Sequence, residues 1–445
     1  MLSRLPCFSY QIKSANYDEL KGEPDALISA VSHPVAAICI VAERYNIRDG
    51  LGDLYFAVHL WKTLQQYELK NIQVTLHPLR DFEEESFREL KEPPVLTSMA
   101  ALQQTAQHIP VLVIHGPVTN HSLPPLNDQL TTVWHMHEYN REYKNHQDGK
   151  MLLTGIGDNH WGINCNPWLY RLGKDLEKQG KNSDLTYIEK LQNAPLKKLL
   201  LDKKSDSTLY FGYSQFDKTK IDFIARVVGA HCSLNDIDIC LIKSQGDDFL
   251  NRLTKSIEER VTLDVSQIEV HDYNNVTEQF DLTLTRKISD SGRTLRLIRT
   301  GALSESDFIH LMIASSRFIL VTGNQSAAQA IMLRKTVYIE LIVDKFIIAL
   351  AELASRLGHP IVDGFLRAED KSPYPFFNEM MATGFGALAD EIYNHFNLEV
   401  NIKRHIGIWA SSQKQKSGQS NNAEKSGILK PGNHTTRRFS CCNVS

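Results

Sequence analysis

A strand–turn–helix–strand pattern late in the chain constrains the fold more than any other feature of the sequence. Arg317–Thr322 is an apolar, partly β-branched run of strand length, and Thr336–Ile339 is a shorter run of the same kind. Between them, residues 323–326 (Gly-Asn-Gln-Ser) are typical of a turn, and Ser326 is a candidate N-cap for a helix over Ala327–Leu333. This order of elements predicts a βαβ unit in a parallel sheet.

The glycine turn of this unit is a candidate anion site. Free N–H groups and the helix dipole both point out of such a turn, toward whatever lies in front of the helix. We therefore expect Gly323, Asn324, Gln325 and Ser326 to bind the diphosphate of a nucleotide-sugar. An ordinary βαβ connection without a ligand explains the same residues, because loops of this kind are common.

Strands alternate with helices in two separate parts of the chain. In the first part we predict strands at 35–42, 72–76 and 111–115, and a helix at Leu54–Gln66 after the first strand. The pattern starts again near residue 204, with a strand at Thr208–Tyr213 that contains the candidate donor-binding residue Gly212. The alternation predicts an α/β fold with two Rossmann-like domains, at 1–203 and 204–410, and a cleft between them.

Other segments are harder to assign from their pattern. We expect Asp281–Arg299 to be a hairpin-like insert, His359–Phe377 to be a loop with three prolines, and Phe385–Phe396 to be the last helix. From about Ser411 the chain is polar and low in complexity, which predicts a disordered basic tail at 411–445.

The turn after the first strand carries acidic residues at the edge where parallel sheets bind ligands. Its candidate site residues are Asp49, Gly50, Gly52 and Asp53. A carboxylate at this edge could accept a proton from an acceptor group, which would make Asp49 and Asp53 catalytic. Turn formation and capping of the following helix explain the same residues equally well.

Two further groups contain histidines. Met151–Pro167 is rich in Gly and Asn and contains His160 and Trp161, which suit either a loop facing a cleft or an ordinary surface loop. His135 and His137 have a spacing that could suit a metal, but no third ligand follows at a recognisable spacing. We therefore expect no metal site and no cofactor.

Composition places the chain among globular proteins and sets its tail apart. The formal net charge is −3, although the residues from Asn401 onward include eight basic residues and one acidic residue. A basic tail on an acidic body suggests a partner with negative charge, and we expect an anionic membrane rather than nucleic acid. The seven cysteines show no framework spacing, and no signal peptide or apolar run of membrane-spanning length is visible.

The last residues suggest a lipid anchor. Cys442-Asn443-Val444-Ser445 fits the C-a-a-X pattern, so we expect a prenyl group on Cys442 and consider Cys441 a palmitoylation candidate. A single lipid chain binds membranes reversibly, and the basic residues upstream supply a second signal. The expected location is the cytosolic face of a membrane.

Two loops carry a resemblance to known families. The sequence Asp-Gly-Leu-Gly-Asp at 49–53 resembles the D-x-x-G-D loop of bacterial protein-arginine rhamnosyltransferases and the G-D loop of heptosyltransferases. Residues 318–330 resemble the nucleotide-sugar loop in the second domain of the same families. The resemblance covers these two loops and the general order of elements. It differs at Asn324 and Gln325, one of which stands where the rhamnosyltransferase loop has an acid.

The resemblance implies a GT-B fold and a metal-independent glycosyltransferase that uses a nucleotide-sugar donor and modifies a protein acceptor. It places Asp49 and Asp53 on the acceptor side, where they would orient or activate the nucleophile. Because prenylation is eukaryotic chemistry and the loops resemble bacterial ones, the combination suggests a bacterial effector that acts in a host cell. A nucleotide-sugar epimerase and a non-catalytic binding protein on the same fold are the alternatives.

Overall fold

The computed structural model describes most of the chain between residues 35 and 425. The described residues are 35–44, 52–66, 71–88, 90, 93–118, 120–137, 139–140, 149–181, 183–203, 207–230, 235–242, 248–260, 265–274, 276–340, 344–368, 371 and 378–425. The predicted site residues Asp49 and Gly50 and the tail cysteines Cys441 and Cys442 lie outside this set, so their roles stay predictions.

The first half is built on a parallel sheet whose strand order is β2-β1-β3-β4-β5. Its strands are β1 (Ala36–Ala42), β2 (Ile72–Pro78), β3 (Val111–His115), β4 (Thr131–His137) and β5 (Lys150–Leu153). Helices α1 (Gly52–Gln66), α2 (Asp81–Arg88) and α3 (Met99–Thr105) connect them. All residues of β1 and β3 are buried, as expected for central strands covered on both faces.

The second half is built on a larger sheet whose strand order is β12-β11-β6-β7-β10-β8-β9. Its strands are β6 (Ser207–Tyr213), β7 (Asp236–Ile242), β8 (Val265–Asn274), β9 (Gln279–Lys287), β10 (Arg293–Thr300), β11 (Phe318–Val321) and β12 (Thr336–Ile339). Every described pairing in it is parallel except that of β8 with β9. The predicted α/β class with two Rossmann-like halves is therefore confirmed.

The remaining helices follow in chain order. They are α4 (Pro167–Lys178), α5 (Ala194–Lys203), α6 (Asp217–Ala230), α7 (Phe249–Arg260), α8 (Glu305–Ala314), α9 (Asn324–Met332), α10 (Asp344–Arg356), α11 (Pro360–Arg367), α12 (Glu379–His395) and α13 (Leu398–Lys425), with a 3-10 helix at Leu185–Lys190 before α5. Within the described part of the chain, no helix combines the length and apolar character needed to cross a bilayer.

The predicted hairpin-like insert at Asp281–Arg299 is wrong for its second half. Only β9 forms a hairpin with β8, whereas β10 lies between β7 and β8 and pairs with both in parallel. Because Arg296 is charged, the sequence pattern does not indicate that β10 is a central, buried strand. Its guanidinium is buried and donates hydrogen bonds to Asp238 (2.6 Å) and Asp236 (2.8 Å), so the charge is compensated inside the sheet.

Three other boundaries differ from the predictions. The predicted loop His359–Phe377 contains α11, because a proline at the first helical position favours a helix start. The first residues of the predicted loop Met151–Pro167 belong to β5, which pairs with β4 at the sheet edge. Phe385–Phe396 is not the last helix, since α13 follows it and extends beyond Ser411, where the tail was predicted to begin.

Helix α13 returns to the first half of the protein. The Leu398 N–H donates to the Ile163 carbonyl (2.9 Å), and the Trp409 indole N–H donates to the Thr132 hydroxyl (3.2 Å). At its first turn, Glu399 pairs with His59 of α1 at 3.1 Å. The predicted division at 203/204 stays a prediction, but this helix, which it assigns to the second half, packs on the first.

The two halves also approach closely through their helices. Gly173 of α4 lies so near α9 that an added Cβ would stand 2.8 Å from the Met332 carbonyl oxygen. The predicted cleft stays a prediction, because the loops 45–51 and 141–148 after β1 and β4 lie outside the described residues.

We predict that the His59–Glu399 pair makes stability depend on pH. Burial lowers the pKa of His59, but the hydrogen bond to Glu399 and the charges of Glu399 and Glu305 outweigh it, so the pKa is raised. The pair should stabilise the fold fully below the pKa of His59 in the unfolded chain, about 6.5. This stabilisation should disappear as the pH rises through the higher pKa of His59 in the folded protein. Glu399→Gln should cost about 1–3 kcal/mol of unfolding free energy near pH 6, and less near pH 9, in urea denaturation.

Glu391→Gln is the matched control for this prediction. Glu391 also pairs with a histidine, His395, but at 3.8 Å and with the imidazole largely exposed. Its loss should cost less than about 0.5 kcal/mol at either pH. An equal cost of Glu399→Gln at both pH values would contradict a protonated His59.

Candidate functional site

The two halves meet at the side chain of Tyr139, which follows β4 at the carboxyl edge of the first sheet. The Tyr139 hydroxyl accepts a hydrogen bond from the Asn164 backbone N–H (2.8 Å) and donates one to Oε1 of Gln325 (3.2 Å). Its ring lies edge-on to Phe56 of α1 and 5.4 Å from Phe346 of α10. Tyr139 is 1% exposed, so it is enclosed by residues from both halves.

The predicted donor turn is one part of the second half that contacts Tyr139. Gln325 is the second residue of α9, and its Oε1 also accepts a hydrogen bond from the side-chain amide of Asn164 (3.2 Å). Two groups from the first half therefore hold the Gln325 carbonyl in place. Because that oxygen is occupied, the amide N–H groups of Gln325 are directed away from Tyr139.

The turn itself differs in one detail from the prediction. Helix α9 begins at Asn324, so Ser326 lies inside its first turn and is not the N-cap. The N-cap is Gly323, which has φ +79° and supplies no side-chain hydrogen bond. This φ favours glycine, and nothing lies within 4 Å of a Cβ built there. The N-cap side chain therefore does not satisfy the first N–H groups of α9.

Two buried polar atoms beside this turn have no hydrogen-bond partner among the described residues. They are the hydroxyl oxygen of Thr322, which precedes Gly323, and Oδ1 of Asn164. Both side chains are at most 3% exposed. Unpaired buried polar atoms are uncommon in folded proteins, and they indicate a place where a polar ligand or ordered water belongs.

The other predicted site residues are placed at different distances from this turn. Gly52 is the first residue of α1, and Asp53 follows it in the first turn, where the helix dipole stabilises a negative charge. One turn later Phe56 contacts Tyr139, so the start of α1 and the start of α9 approach the same side chain. Gly212 lies inside β6 against the Leu241 side chain, a position that does not suit direct donor binding.

A buried cluster that the sequence analysis missed lies at the same edge of the first sheet. Glu43 follows β1 directly, and its carboxylate is fully buried. It contacts Nε2 of His115 at 3.3 Å and Nδ1 of His121 at 2.5 Å. His115 in turn contacts His135 through their Nδ1 atoms at 3.3 Å. These residues connect the ends of β1, β3 and β4 by hydrogen bonds.

The contacts of His121 define its protonation. The Arg80 guanidinium can only donate, so its 2.8 Å contact makes Nε2 of His121 an acceptor, and the proton lies on Nδ1 facing Glu43. Burial raises the pKa of Glu43, but hydrogen bonds from His115 and His121 outweigh it and hold the pKa below its ordinary value. Glu43 is therefore ionised at neutral pH, next to a half-exposed histidine.

The predicted cleft residues His160 and Trp161 line a cavity of about 300 Å³ between the loop after β5 and α13. Nε2 of His160 also contacts the side-chain amide of Asn140, the neighbour of Tyr139, at 3.4 Å. The described residues contain no group of three or more His, Cys, Asp or Glu placed to hold a metal, and His135 and His137 form none.

Sequence signals existed for some of the missed residues. Glu43 follows a buried strand of a parallel sheet, which is where ligand-binding side chains are expected. Tyr139 and Asn164 had no such signal, because their partner Gln325 is 186 and 161 residues away in the sequence.

The sequence matches no protein-family model and no curated protein. Among solved structures it is similar to a glycosyltransferase from Rickettsia africae ESF-5, at 11% identity and a TM-score of 0.39, over 84% of this chain and 98% of that chain. An Anabaena protein in complex with UDP and glucose is similar at 10% identity and a TM-score of 0.35, over 84% and 99% of the two chains.

A UDP-GlcNAc 2-epimerase from Neisseria meningitidis, bound to UDP-GlcNAc, is similar at 13% identity and a TM-score of 0.36, over 83% of this chain and 99% of that chain. The fold rests on the two strand orders, and the site on the contacts around Tyr139.

We predict that Tyr139→Phe destabilises the contact between the halves. The variant keeps the ring but leaves the buried Asn164 N–H without an acceptor, which should cost about 1–3 kcal/mol in urea denaturation. Tyr393→Phe is the control, because the Tyr393 ring stacks on Tyr170 but its hydroxyl has no hydrogen bond among the described residues. Equal stability of the two variants would show that the hydroxyl of Tyr139 is not needed.

Proposed function

We propose that this protein is a metal-independent glycosyltransferase of GT-B type that binds the diphosphate of a nucleotide-sugar at the start of α9. The observation that carries the proposal is the Gly323 turn, where helix α9 begins without a side-chain cap and its Gln325 contacts Tyr139 and Asn164 of the first half. The unpaired Thr322 hydroxyl and Asn164 Oδ1 beside it support a polar ligand at this place.

The chemistry of sugar transfer suits this turn. When the bond between sugar and diphosphate breaks, negative charge develops on the leaving diphosphate. Fixed N–H groups and the positive end of a helix dipole stabilise that charge most where it forms. The fixed orientation of Gln325 adds an amide donor that needs no rearrangement during the reaction.

The acceptor would have to lose a proton to a base on the first half. Asp53 is one candidate, since it lies in the first turn of the helix whose Phe56 contacts Tyr139. The second is His121, held by ionised Glu43 at the same edge of the sheet. His121 could take a proton on Nε2 only after Arg80 releases that nitrogen, and Glu43 would then stabilise the charged imidazole.

A non-catalytic binding protein is the second candidate function. It is favoured by Gln325, whose carbonyl is committed to Tyr139 and Asn164 and stands near the position of an acid in the resembling family. An epimerase would use the same donor site. A protein acceptor, a host cell and a membrane site remain proposals that rest on the resemblance and on the tail sequence.

We predict that Gly323→Ala abolishes stabilisation by a nucleoside diphosphate. A methyl group there would stand on the turn that the diphosphate must approach, and the backbone would lose about 1–3 kcal/mol, because a φ of +79° with a ψ of 155° is a conformation that essentially only glycine adopts. Melting temperatures measured with and without UDP, and then with the other nucleoside diphosphates, test this.

Gly358→Ala is the matched control. Gly358 follows α10, has the same φ of +79°, and also has nothing within 4 Å of an added Cβ. Both variants should lose stability without ligand, and only Gly323→Ala should lose the ligand-induced shift. If UDP and its relatives stabilise both variants as they stabilise the unchanged protein, the donor site is elsewhere.

Two further variants separate the candidate bases. If Asp53 is the base, Asp53→Asn should lower release of nucleoside diphosphate from a nucleotide-sugar about 10²–10⁴-fold, with donor binding unchanged. If the His121–Glu43 pair is the base, His121→Gln should do so instead. The assay measures nucleoside diphosphate with cell extract as the source of acceptors. Turnover that survives in both variants would exclude both bases, and a binding protein would show donor binding without any release.

A further inference from the structure

A polar cavity lies where helix α13 packs on the first half. It has a volume of about 300 Å³, at the lower end of the range for small-molecule sites. The loop after β5 and helix α13 line it, through Asn159, His160, Trp161, Asn401, Arg404 and His405. None of these residues is among those that hold Gln325.

The wall of this cavity is fixed by contacts between the loop and the helix. The Trp161 indole stacks on the His405 imidazole, with centroids 4.0 Å apart and planes inclined by 17°. The Asn401 side-chain amide donates to the Trp161 carbonyl (2.8 Å), and Trp134 supports the indole edge-on at 5.5 Å. A ligand would therefore meet a surface whose side chains are already held in place.

The charges around the cavity are mainly positive. Arg404 lines it, and the Lys150 ammonium lies 5.2 Å from the centroid of the Trp161 ring. Burial and the positive charges of Lys150 and Arg404 together lower the pKa of His405. The nearest acid in the sequence, Asp158, is exposed and precedes the lining residue Asn159. A site with this balance favours an anion.

We propose that this cavity binds the oxyanion of a small phosphorylated or carboxylated molecule. The Arg404 guanidinium would form a bidentate contact with the oxyanion, and His405 and Asn401 would donate further hydrogen bonds. The polar side chains of Asn159 and His160 suit the hydroxyl groups of a sugar-sized molecule. The proposal does not depend on the donor site or on catalysis.

Calorimetry with three probes of similar size tests the proposal. Glucose 6-phosphate carries a phosphate, gluconate carries a carboxylate, and glucose carries neither. We expect one or both anions to bind at least ten times more tightly than glucose, and their ranking identifies the preferred oxyanion. Binding of both anions no tighter than glucose overturns the proposal.

Two charge-matched variants on α13 locate the site. Arg404→Met should weaken binding of the preferred anion at least tenfold, whereas Lys403→Met, an exposed neighbour with the same change in charge, should alter it less than twofold. NMR signals of the His405 ring should shift on titration with the anion. Equal losses in both variants, or an unchanged His405 signal, would show that the anion binds by general attraction or elsewhere.

The two sites can be distinguished in one series of measurements. Gly323→Ala should keep the binding of glucose 6-phosphate or gluconate, and Arg404→Met should keep the thermal shift with UDP. Loss of anion binding in Gly323→Ala would contradict a separate cavity, whatever the outcome for the donor.

Discussion

The hydroxyl of Tyr139 is the interaction on which the arrangement of the two halves depends. It accepts a hydrogen bond from the Asn164 N–H and donates one to Gln325. Aromatic rings of α1 and α10 pack against the Tyr139 ring, and the side chain is buried. Leaving a buried hydrogen-bonding group without its partner costs free energy, because no water can replace the partner. The three residues therefore favour one arrangement relative to one another. Because Gln325 begins α9, that position also sets where the first N–H groups of the helix face.

The sheets could be read from the sequence, since buried parallel strands are apolar runs separated by helical patterns. Errors occurred where tertiary contacts override local pattern. Arg296 made β10 look like part of an exposed hairpin, and only Asp236 and Asp238 on the neighbouring strand explain its burial. A proline suggested a loop where it starts α11, and the polar composition after Ser411 concealed the length of α13.

The site was predictable in part for the same physical reason. A turn between strand and helix is local, so residues 323–326 could be predicted as a turn, although helix α9 starts three residues earlier than a Ser326 cap would require. The residues that complete the site come from distant segments. Tyr139, Asn164 and the histidines around Glu43 acquire their roles only when strand ends are brought together, and a single sequence carries no trace of those distances.

The return of α13 to the first half has a consequence for biosynthesis. His59 meets Glu399 across 340 residues of sequence, so the surface that α13 covers is made long before the helix that covers it. At translation speeds of about 5–20 residues per second, that surface waits roughly 20–70 seconds while the ribosome completes the chain. Until then the early α/β half exposes apolar side chains that chaperones can recognise, and a nascent chain stalled before Leu398 would keep them exposed.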